Sequence, residues 1–107
     1  MAHRMLLYDI PDAYRPVRDW LDELSNEDFL AHITMVQKFG PVFSGCELLA
    51  NDLWALRVPI GYGNVANLVF LSLNTRDYLA LYGFISKRGQ SSEAEMGIAN
   101  IRRRDLE

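Results

Sequence analysis

Three cations in the second half of the chain are best placed to do chemistry. Arg57 lies within one apolar stretch, and Lys87-Arg88 stand at the exit of another. Ser86, Gln90, Ser91 and Tyr82 are close to that pair along the chain. Cations gathered at the end of a sheet would make a local anion site on an otherwise acidic protein, whereas the same positive charge is equally consistent with a solvated helix face. Its distribution is uneven. Residues 1–56 carry four basic and nine acidic side chains, a balance of −5, and residues 57–107 carry seven and five, a balance of +2. The overall charge of −3 weighs against a general nucleic-acid binder, because phosphate neutralisation supplies most non-specific affinity.

Other chemistries lack their residues. The chain has no CxxC, HExxH, glycine-rich phosphate loop or Gly-x-Ser-x-Gly elbow. His32 has no second histidine or acid at ligand spacing and reads as a structural or surface residue, and His3 falls at the terminus. The single cysteine, Cys46, excludes an internal disulfide and a multi-cysteine metal site, and reads as a small residue at a strand edge. No apolar run approaches the length of a membrane span, and the start of the chain lacks the apolar core of a signal peptide, so a cytoplasmic, non-membrane protein is the default expectation.

The elements that must position these cations follow from pattern. Three strands are expected over 53–58, 65–73 and 78–86, separated by Gly61-Tyr62-Gly63-Asn64 and Asn74-Thr75-Arg76-Asp77, which carry turn chemistry. Trp54, Leu56 and Val58 share the side assigned to the core. In the third strand, Tyr78, Ala80, Tyr82, Phe84 and Ser86 are expected to alternate with Leu79, Leu81, Gly83 and Ile85. Upstream, residues 4–9 suit a short strand and 47–50 another. Pro16 opens a helix whose stripe is Val17, Trp20, Leu21 and Leu24. Ser25 is the expected cap of a second helix with Phe29, Ile33 and Val36 inward, stopped by Gly40-Pro41. A last helix starts with a capping box at Ser92 and Glu95 and turns Ala94, Ile98 and Ile101 inward. Arg102-Arg103-Arg104 at its end complement the helix dipole, or contact a partner or RNA. At 107 residues the chain is expected to form one domain over 1–107, of α+β class: an antiparallel sheet of about four strands packed by an N-terminal helical hairpin and a C-terminal helix.

On these residues the sequence resembles a known family. The order Leu-Trp-x-Leu-Arg, an apolar hairpin, Leu-x-Gly-Phe-Ile-x-Lys-Arg and a helix with a basic end, preceded by Asp-Trp-Leu-Asp-x-Leu and Phe-Gly-Pro, is similar to the RelE/HigB superfamily of toxins, in its phage-derived, host-killer-like branch. The likeness runs from about Val17 to Arg103. It implies a small α+β domain of microbial ribonuclease type, a toxin of a toxin–antitoxin pair. Such a protein is an mRNA endoribonuclease, works mostly on translating ribosomes without cofactor or metal, and is held inactive by a cognate antitoxin. In that chemistry the ribose 2′-OH attacks its own 3′-phosphate while cations stabilise the phosphorane. The resemblance casts Arg57, Lys87 and Arg88 as the catalytic cations, with Arg88 the main phosphate clamp. Asn67 stands near where the family carries an arginine, and Gln90-Ser91 where it carries another basic residue; Asn67, Gln90 and Tyr82 are the substrate contacts it suggests. Fewer cations than the family carries imply an alternative on the same fold: a catalytically weakened or inactive module that binds a protein partner, either an antitoxin or a phage or mobile-element protein.

Overall fold

The structure is a computed structural model that describes residues 4–8, 16–74, 76–87 and 93–105, with Phe43 by its backbone alone. Its elements in chain order are β1 (Arg4–Leu7), α1 (Pro16–Leu24), α2 (Glu27–Phe43), β2 (Glu47–Ala50), β3 (Leu53–Gly61), β4 (Asn64–Ser72), β5 (Asp77–Lys87) and α3 (Glu93–Asp105). The class is α+β, as expected, but the five-stranded sheet is mixed rather than antiparallel. Its order is β1-β5-β4-β3-β2, and β1 runs parallel to β5. The two helices between β1 and β2 carry the chain across the sheet, so β1 lies beside the last strand instead of its sequence neighbour.

Alternating apolar residues let both faces of the sheet bury a cluster. On one, Leu56, Val58, Ala66, Leu68, Phe70, Tyr78 and Ala80 pack with Val17 of α1 and with Phe29, Ile33 and Val36 of α2. Trp20 meets Phe29 edge-on, with ring centroids 5.6 Å apart. On the other face, Leu53, Val69, Leu81 and Phe84 pack with Ala99 of α3.

Several local expectations are corrected. The cap of α2 is Asn26, whose Oδ1 accepts the Phe29 N–H at 2.9 Å. Ser25 instead ends α1, its hydroxyl donating to the Asp22 carbonyl at 2.7 Å. The break at Gly40-Pro41 is present: Gly40 leaves helical geometry at φ 82° and ψ 168°, and one further turn follows to Phe43. In α3, Ala94, Ile98 and Ile101 are exposed; Met96 and Ala99 face the sheet instead. The reason is polar as well as apolar. Glu95 accepts the Tyr82 hydroxyl at 2.6 Å, and Arg102 reaches the Leu81 carbonyl at 2.7 Å, which turns this side of the helix inward. Ser92, the expected cap, lies outside the described residues.

β5 is also irregular. Val69 pairs with Tyr82 and Phe70 with Ala80, so Leu81 is an extra residue in the ladder. A bulge of this kind reverses the side on which every later residue points. Tyr78 and Ala80 therefore face α1 and α2, whereas Tyr82 and Phe84 face α3, contrary to simple alternation.

Candidate functional site

Arg57 lies on the α3 side of β3 and is exposed, in register with Asn67 of β4, which is in register with Phe84 of β5. Its guanidinium is joined to the Glu47 carboxylate of β2. Glu47 pairs with Ala55, two residues before Arg57, so the ion pair is a diagonal cross-strand contact on one side of the sheet. Both side chains remain open to solvent, at 41% and 55% exposure. Together they offer a carboxylate that can take a proton and a cation that can face an oxyanion. Sequence reasoning did not single out Glu47. The register of the short β2–β3 hairpin was the signal that would have found it, and the Asn51-Asp52 turn does not fix that register.

Asn67 is placed differently from a substrate contact. It is 3% exposed. Its Nδ2 lies 3.0 Å from the Val65 carbonyl, 3.0 Å from Ser86 Oγ and 3.4 Å from the Phe84 carbonyl. Two amide hydrogens shared among three acceptors are committed to the sheet, where burial makes an unpaired amide costly. Tyr82 is half-buried between elements. Its hydroxyl donates to Glu95, its ring stacks with Phe84 at 5.6 Å, and Arg102 lies over it with Cζ 4.9 Å from the centroid. Tyr8 lies 5.3 Å from the same guanidinium, which is thus held by two rings.

Lys87 does not join Arg57. It pairs with Asn64, three positions along β4 from Asn67, and β4 separates the two strands. That is roughly 9.5 Å across the sheet and about 10 Å along it. The two residues also lie on opposite sides. Lys87 shares the side of Ile85, which lines a hollow with Trp20, Glu23 and Leu24 of α1. A regular strand continued from Tyr78 and Ala80 would have turned Lys87 to the side of Arg57; the extra residue at Leu81 reverses it. Arg88 and Gln90 lie outside the described residues.

Elsewhere, Arg4 grips the Asp77 carboxylate through Nε at 2.9 Å and Nη2 at 3.2 Å, and Asn74 donates to it at 3.2 Å. These contacts hold the Asp77 pKa below its usual value. Burial pushes the Cys46 thiol up to about 11, which keeps it protonated and unreactive at neutral pH. His32 is exposed and its Nδ1 lies 2.7 Å from the Asp28 carbonyl, a local helix contact. Among the described residues, no three His, Cys, Asp or Glu side chains gather into a group that could hold a metal ion. No described helix is long and apolar enough to cross a membrane. No protein-family model matches the chain, and no curated protein matches it as a relative.

Proposed function

We propose that the chain is a toxin-type endoribonuclease that cuts mRNA on translating ribosomes and is restrained by a cognate antitoxin. The observation that carries this reading is the exposed Arg57–Glu47 pair on the sheet side away from α1 and α2. In this mechanism Glu47 removes the proton from a ribose 2′-OH. The new 2′-oxygen–phosphorus bond forms as the phosphorus–O5′ bond breaks, leaving a 2′,3′-cyclic phosphate and a 5′-hydroxyl whose proton comes from solvent. Arg57 faces the charge that grows on the phosphorane oxygens. Arg88 is the further clamp that the family resemblance suggests.

The test is cleavage of a message in a reconstituted translating system, mapped by primer extension. Wild type should give cuts within translated codons. Glu47→Gln and Arg57→Ala should each lower them by roughly 10²–10³-fold. An intact message with wild type present overturns the reading.

One observation favours the second reading, a partner-binding module without catalysis. Lys87 lies on the opposite side of the sheet from Arg57, so these two cations do not gather around one phosphate. Under that reading, wild type leaves the message intact and still forms a stable complex with a protein encoded beside it.

A further inference from the structure

The outer edge of β1 combines two features that are usually separate: a run of backbone with no partner strand among the described residues, and an apolar hollow beside it. The Arg4 N–H donates to the Arg76 carbonyl at 2.8 Å, and the Tyr8 N–H to the Ala80 carbonyl at 2.9 Å. In a parallel ladder one residue gives both backbone groups to the same neighbour and the next turns both away. Arg4, Leu6 and Tyr8 therefore bond β5, while Met5 and Leu7 direct their N–H and C=O groups outward. β1 is the terminal strand of the sheet, and no described strand lies beyond it. Met5 to Tyr8 also line a hollow of about 380 Å³, floored by Leu21 of α1 and by Leu30 and Ile33 of α2. Leu30 in that lining is 46% exposed. Arg18 is the charged side chain among its described lining residues.

We propose that this edge is a strand-addition site for a protein partner. An extended segment pairs with Met5 and Leu7 as a sixth strand, with apolar residues at successive positions of one strand face and a glutamate or aspartate at the next position of that same face. Its apolar side chains fill the hollow over Leu21, Leu30 and Ile33, and its carboxylate meets Arg18. Main-chain pairing supplies the common part of such recognition, and the side-chain hollow supplies the choice of partner. The charge of the hollow selects against a second copy of this chain, since two-fold pairing of β1 would bring a second Arg18 to an edge whose charged described lining residue is already Arg18. The inference is independent of the ribonuclease reading, and its test does not read RNA cleavage.

The test is an NMR titration of the full chain with a panel of short synthetic peptides that carry valine or leucine and one glutamate at every second position, with threonine between them so that these residues share one strand face, and a matched panel carrying lysine in place of glutamate. The glutamate peptides should shift the Met5 and Leu7 amide signals and slow their hydrogen exchange. Arg18→Glu should bind them roughly tenfold more weakly and prefer the lysine panel. Leu30→Asp, at an exposed helix position, should also weaken the glutamate panel while retaining a dispersed spectrum. Unchanged Met5 and Leu7 amides throughout the titration overturn the proposal, as does equal binding by folded Arg18→Glu. Protection of the same amides in a peptide-free dimer, detected by sedimentation, overturns the choice of occupant.

Discussion

Tyr62 is fully exposed at the tip of the β3–β4 hairpin with φ 54°, followed by Gly63 at φ 75°. Gly61 pairs with Asn64, so Tyr62 and Gly63 form a two-residue loop with positive φ at both positions, the pattern of a type I′ turn. Asparagine tolerates the first position better than tyrosine, whose Cβ crowds the backbone there. Tyr62→Asn should therefore stabilise the protein by about 0.5–1 kcal/mol, read as a higher urea midpoint with an unchanged slope. A lower midpoint would mean that the ring contributes to the fold despite its exposure. Glycine at Gly61 and Gly63 with asparagine at Asn64 made this turn legible in the sequence; nothing marked Tyr62 as the residue held at positive φ. Arg57 was similarly half legible. Its place in a strand followed from Leu-Trp-x-Leu-Arg, but its carboxylate partner came from a strand whose register no sequence pattern set.

At the scale of elements, α1 docks on β5 through a single missing side chain. A Cβ at Gly83 would stand 2.2 Å from Trp20 Cε3 and 2.5 Å from two further ring atoms. Those atoms belong to a bicyclic ring that meets Phe29 edge-on, so relief requires α1 to move. Gly83→Ala should cost about 1–3 kcal/mol by overpacking, seen as a lower melting temperature. An unchanged melting temperature would show that the indole has room to turn. Gly83 lies in a strand that reads as continuous, so its role was not visible without its neighbour across the interface. The helices themselves were more legible. Val17, Trp20, Leu21 and Leu24 recur at helical spacing and do pack toward the core. α3 was legible as a helix but not in its rotation, because the contacts of Glu95 and Arg102 with the sheet outweigh the pull of Ile98 and Ile101.

At the scale of the whole molecule, the Arg4–Asp77 pair joins the start of the described chain to its last strand. Asp77 has a folded-state pKa below its unfolded value, led by the hydrogen bonds from Arg4 and then Asn74. Its contribution is therefore fully present above the unfolded value, near 3.9, and lost as pH falls through the folded value. The urea midpoints of wild type and Asp77→Asn should differ at neutral pH and converge as pH drops below about 4. A difference that persists into strong acid would assign the effect to packing rather than to charge. Salt should shrink the neutral-pH difference, because Arg4 is largely open to solvent.

The amino-acid sequence by itself determined the α+β class, the existence of each strand and helix, and the side of β3 that enters the main core. These depend on local periodicity, turn residues and breakers, which act over a few neighbouring positions. Tertiary structure alone decided the parallel seat of β1 beside β5, the bulge at Leu81 and the meeting of Arg57 with Glu47. Each is a matter of register between segments far apart in the chain. A shift of one residue reverses the side on which a side chain points, and no local pattern fixes that shift. This is why Arg57 and Lys87 read as partners along the chain and lie on opposite sides of the folded sheet.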